Sequence, residues 1–149
     1  AHITTFAAEH PADAGRILVT GHLESPVDVA RHLHLCDVTL QPSVWDGLPN
    51  AVLESMACGK IVVASDAGGI PEAVEHGVHG FLVPKMQLPR FGEAIGEVLD
   101  LPEADRVAIA AAARERMETS FHSDVEGARL EALLSRVAEL AEQTDSRVS

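Results

Sequence analysis

Four short apolar runs constrain this chain more than any other feature: Arg16 to Thr20 (RILVT), Asp37 to Leu40 (DVTL), Ile61 to Ala64 (IVVA) and Gly80 to Val83 (GFLV). Each is continuous rather than alternating, which is the pattern of a strand buried on both faces and hence of a parallel sheet. Helical stretches separate them. Ser25 is placed to cap a helix with Pro26 at its first position, running to about Leu35. Pro49 opens a second helix that ends near Cys58 with Gly59 as its stop, and Pro71 starts a third, short one. Strand, helix and strand repeated with such short connections predict right-handed crossovers and an α/β fold, an open parallel sheet of about four strands with helices on both faces. After Val83 the pattern is helical throughout, over 91–99, 103–118 and 124–142. The last helix carries Val125, Leu130, Leu133, Leu134, Val137 and Leu140 on one side, a stripe that needs a surface to cover it.

Composition narrows the function classes. At 149 residues the chain suits one domain with a substantial core. Lys and Arg number 11 against 23 Asp and Glu, a formal charge of -12 that repels phosphate backbones and anionic membranes and disfavours nucleic acid as the main partner. No apolar run approaches the roughly 18 residues of a membrane span and no leader-like segment opens the chain, which predicts a cytoplasmic protein. Cys36 and Cys58 sit in apolar stretches and are too few for a disulfide framework or a zinc site.

The chemistry concentrates after the second run, in Gln41 to Glu54 (QPSVWDGLPNAVLE), a strand end, a turn and a helix start. Ligands in open α/β sheets bind at the carboxyl ends of the strands. Gly47 permits close backbone approach, and the free N–H groups at the helix start suit a phosphate. Asp46 lies in the turn, and Glu54 follows about 7.5 Å along the helix axis beyond Pro49. Two acceptors thus flank an anion site, a layout that fits a nucleoside diphosphate sugar, with hydroxyls at each end and phosphates between. The plain alternative is that Asp46 caps the helix and Glu54 is a solvated carboxylate.

The stretch Pro42 to Val83 (PSVWDGLPNAVLESMACGKIVVASDAGGIPEAVEHGVHGFLV) closely resembles the C-terminal nucleotide-sugar domain of glycosyltransferase family 4, retaining enzymes of the GT-B fold. The resemblance rests, in order, on the acids Asp46 and Glu54 separated by seven residues, Met56 to Gly59, Val63 to Asp66, the Gly68-Gly69-x-Pro71-Glu72 turn and Gly80 to Val83. More loosely it extends over residues 15 to 140. It implies a Rossmann-like sheet, a nucleotide-sugar donor and no cofactor or metal. It implies that Glu54 holds the ribose hydroxyls and that Asp46 is the catalytic acid beside the donor sugar. Gly47, Leu48 and Asn50 would face the donor sugar and phosphates, Gly21, His22 and Leu23 would form the nucleobase loop, and Gly68 and Gly69 would touch the ligand.

Two departures accompany the resemblance. The family's first acid is usually Glu, and Asp46 is one methylene shorter. The Gly-Arg strand and downstream Lys that neutralise the diphosphate in the family have no counterpart before Gly15, and the acceptor-binding N-terminal domain is missing. On this reading residues 1–100 form a partial nucleotide-sugar-binding domain, 101–143 are helices packing on it, and 144–149 are a tail. Any peripheral membrane contact would go through the missing domain. In the family's sheet order, strands absent here lie between those matching Arg16 to Thr20 and Asp37 to Leu40. The simpler expectation is that these two close up, giving four parallel strands in chain order.

Other chemistries find less support. His32 and His34 point about 200° apart on a helix and cannot share a metal. His76 and His79 lie in a loop but lack a third ligand nearby. Ser43 and Ser65 have no histidine at a recognisable spacing, so no hydrolase triad is drawn. Gly68-Gly69 reads more readily as a tight turn than as a ligand clamp, and Trp45 as a wall of the donor pocket or a core residue. Two functions stand: the donor-binding domain of a retaining glycosyltransferase, probing which needs the full-length enzyme, and a non-catalytic nucleotide-sugar-binding or assembly module docking through its last helix.

Overall fold

Burial on both faces shapes the centre of the molecule. In the computed structural model, which describes residues 2–145, strand β2 (Ile61–Ser65) is buried at every position and lies between β1 (Val38–Gln41) and β3 (Phe81–Val83). All three are parallel, with Val38 opposite Ile61 and Val63 opposite Phe81. Alternate side chains of β2 serve two cores. Val62 and Ala64 pack with Val52 and Met56 of α4 (Asn50–Ala57), Ile70 and Ala73 of α5 (Ile70–Ala73) and Ala113 of α7 (Glu103–Arg116). Ile61 and Val63 pack with Phe81, Val83 and, from α6 (Phe91–Asp100), Phe91 and Val98. A two-sided parallel sheet needs an apolar layer against each face, and the uninterrupted run Ile61 to Ala64 meets that need.

Helix boundaries follow local chemistry. Helix α3 (Pro26–Leu35) starts with the Ser25 hydroxyl accepting from the Val27 amide at 3.2 Å, and Pro26, lacking an N–H, occupies the first position. Helix α4 stops at Gly59, whose φ of +64° is the left-handed conformation that glycine takes cheaply. Two helices that the apolar pattern did not announce, α1 (His2–Glu9) and α2 (Pro11–Ala14), open the chain.

The expected strand over Arg16 to Thr20 is absent, and the sheet has three strands rather than four. The segment is irregular, with Leu18 85% exposed, and it does not close against β1. A continuous apolar run becomes a buried strand only where a partner strand and two covering layers receive it, and this one has neither. The last helix also departs from expectation. After a π-helical turn over Met117–Phe121, α8 (Ser123–Asp145) contacts that turn, and Val125 is half-buried, while Leu130, Leu133, Leu134, Val137 and Leu140 stay more than half exposed, so most of the stripe is left open among the described residues. Of the expected tail at 144–149, positions 146–149 lie outside the described residues. Among the described residues no helix is long and apolar enough to cross a membrane.

Candidate functional site

The carboxyl ends of the strands bring two loops together. Leaving β1, the chain forms a polar relay: Gln41 Nε2 donates to Ser43 Oγ at 2.9 Å, and Ser43 Oγ donates to Asp46 Oδ2 at 3.2 Å. Asp46 Oδ1 accepts from the Gly47 amide at 2.8 Å. Asp46 is therefore held in the loop and does not cap α4, whose start at Pro49 has no side-chain cap. A carboxylate has about four lone-pair positions, and the described hydrogen bonds occupy two of them. Ser65, buried at the end of β2, donates to the Ser43 carbonyl, with the Gln41 carbonyl at 3.3 Å.

The loop after β2 supports the loop after β1. The Gly69 amide donates to the Gly47 carbonyl at 2.7 Å. Gly68, at φ +54°, lies so close that a Cβ there would stand 1.8 Å from the Asp46 carbonyl oxygen. Gly68 and Gly69 thus pack on the Asp46–Leu48 backbone. Asp66 performs a similar task one strand further on, with Oδ1 accepting from the Lys85 amide at 2.7 Å.

Glu54 is exposed on α4 and lines a groove of about 160 Å³ with Val29, Leu33, Thr39, Gln41 and Ser55, between α3, α4 and the edge of β1. Asn50 is exposed at the start of α4, Leu48 is half-buried against the Val52–Met56 core, and Trp45, at 90% exposure, is not a core residue. Gly21, His22 and Leu23 lie in irregular chain with Gly21 at φ +71°; because the Arg16 segment is not a strand, no strand end presents them. His76 Nδ1 takes the Leu82 amide and His79 Nδ1 the Glu75 amide, and no cluster of three metal-ligating side chains occurs among the described residues. Sequence reasoning weighed Ser43 and Ser65 only as nucleophiles and missed their supporting role. The available signal was a serine ending an otherwise apolar buried run.

An open parallel sheet with helices on both faces defines the class of α/β proteins whose ligands bind beyond the carboxyl ends of the strands, where the Asp46 loop lies. The chain belongs to the glycosyl transferases group 1 family, whose model matches residues 4–101, and this bears out the resemblance carried by Pro42 to Val83. It is 37% identical over 117 residues to the amylovoran biosynthesis glycosyltransferase AmsK of Erwinia amylovora, covering 74% of this chain and 28% of that one. Among solved structures it resembles the Anabaena protein HepE in complex with UDP-glucose, with a TM-score of 0.65, 29% identity and coverage of 72% of this chain and 30% of that one. Sucrose-phosphate synthase from Thermosynechococcus elongatus shares the fold, with a TM-score of 0.82 at 24% identity, over 93% of this chain and 34% of that one. The chain thus spans about a third or less of the length of these relatives.

Proposed function

We propose that this chain is the donor-binding part of a retaining glycosyltransferase that takes a sugar nucleotide, with transfer to an acceptor requiring the remainder of a longer protein. The observation that carries this reading is the loop from Gln41 to Glu54, in a chain similar to a protein solved with UDP-glucose. Asp46 offers two unused lone-pair positions at the sugar end, and Glu54 offers an exposed carboxylate to the ribose. No side chain here acts as a nucleophile. Catalysis would rest on positioning and on stabilising the leaving diphosphate while the acceptor attacks from the same face. The uncovered leucines of α8 favour a second reading, a non-catalytic module that docks through this helix.

Calorimetry on the longest natural reading frame containing this chain tests the first reading. With UDP as probe, Glu54→Ala weakens binding by about 1.5–3 kcal/mol, roughly 10- to 150-fold, the range for a hydrogen bond to a charged group. Asp46→Asn impairs sugar transfer more than UDP binding. Unchanged affinity in the first variant, or equal losses in the second, removes these assignments. Sugar binding without transfer in the unmodified protein favours the docking module.

A further inference from the structure

Arg116 ends α7 and reaches across to α5. Its Nη2 donates to the backbone carbonyl of Glu72 at 2.9 Å, and its guanidinium carbon lies 5.8 Å from the centre of the Phe121 ring. Its Nε is buried and has no hydrogen-bond partner among the described residues. An unpaired buried N–H is a standing cost, and an unbranched apolar side chain would fill the same space without it. What the arginine supplies, and methionine cannot, is the donor to Glu72.

That donor acts on the loop that seats Asp46. The Glu72 amide bonds the Gly69 carbonyl at 3.0 Å, closing the single turn of α5, and the Gly69 amide bonds the Gly47 carbonyl at 2.7 Å. Gly68 abuts the Asp46 carbonyl with no room for a Cβ. From guanidinium to acid, the path is one hydrogen bond, one helical turn, a second hydrogen bond and a close backbone contact.

We propose that Arg116 is a positioning residue for the Asp46–Leu48 loop, acting through Glu72, α5 and the Gly68–Gly69 turn. Its importance for transfer rests on the reading of Asp46 as a donor-site acid; its hold on the loop does not.

Amide hydrogen exchange at Gly69 in the 149-residue chain tests that hold directly. Arg116→Met keeps an unbranched side chain and removes the donor, and it speeds Gly69 exchange about tenfold. Arg116→Lys, whose Nζ can donate to the same carbonyl, restores the rate. Exchange at the unmodified rate in Arg116→Met, or no recovery in Arg116→Lys, overturns the proposal. Should Arg116→Met not fold, Arg116→Gln, too short to span to Glu72, takes its place with the same criteria.

In the longer reading frame, Arg116→Met lowers kcat about 10- to 100-fold, the cost of misplacing a reacting group, with UDP affinity little changed and kcat recovered by Arg116→Lys. Equal kcat in all three proteins overturns the catalytic consequence. Absence of transfer in the unmodified protein refutes the glycosyltransferase reading instead, and the exchange result still judges the clamp.

Discussion

Replacing Gly68 by alanine puts the packing of the two strand-end loops to a quantitative test. At φ +54° an alanine pays about 1–2 kcal/mol for the left-handed conformation alone. Its Cβ would also stand 1.8 Å from the Asp46 carbonyl oxygen and 2.7 Å from that of Gly47, both backbone atoms that cannot swing aside as a flexible side chain would. Forcing atoms into packed space costs about 1–3 kcal/mol more, so Gly68→Ala destabilises by about 2–5 kcal/mol. Gly77 supplies the internal control. It has φ +79° and nothing within 4 Å of an added Cβ, so Gly77→Ala costs only the conformational term, about 1–2 kcal/mol. With urea slopes of about 1–3 kcal/mol per molar, the two midpoints separate by about 1 M in circular-dichroism titrations. Coincident midpoints would refute the claim that the Gly68 turn is seated against the Asp46 loop.

Met56→Ala, at a fully buried core position, costs about 2–5 kcal/mol in the same titration. By contrast, Leu133→Glu on α8, where the leucine is 56% exposed, changes stability of the chain by no more than about 0.5 kcal/mol. The purified 149-residue chain transfers no sugar and binds UDP-glucose weakly, because its charge of -12 repels a dianionic diphosphate; turnover in a purified sample reverses this expectation.

Local rules made much of the fold legible. The Ser25-Pro26 start and the Gly59 stop depend on neighbours in sequence and appear where those rules put them, and the runs at Val38, Ile61 and Phe81 are strands because they find one another as partners. Arg16 to Thr20 shows the boundary of that legibility. Its composition matches a buried strand, but strand formation is decided by partners elsewhere in the chain, and Leu18 finds none. The same limit applies at the site. Asp46 and Glu54 are candidates through the resemblance of Pro42 to Val83, since their spacing alone also fits a cap and a solvated carboxylate, whereas the bonds from Ser43 to Asp46, from Gly69 to Gly47 and from Arg116 to Glu72 depend on loop conformation or on contacts that only the fold creates. Arg116 sits among other charged residues near the end of α7, and no local pattern sets it apart.

The two-sided burial of β2 also sets an order of events during synthesis. One face of the strand finds part of its cover in α4, which precedes it in the chain, whereas the other depends on Phe91 and Val98 of α6, which follow. Phe91 lies 26 residues beyond Ser65, the end of β2. At about 5–20 residues per second of translation, Ile61 and Val63 remain without that cover for roughly 1–5 s after the strand emerges from the ribosome. In that interval the nascent chain presents an apolar strand face to its surroundings, and the arrival of α6, followed by Ile109 and Ala110 of α7, ends its exposure to misassociation and to chaperones.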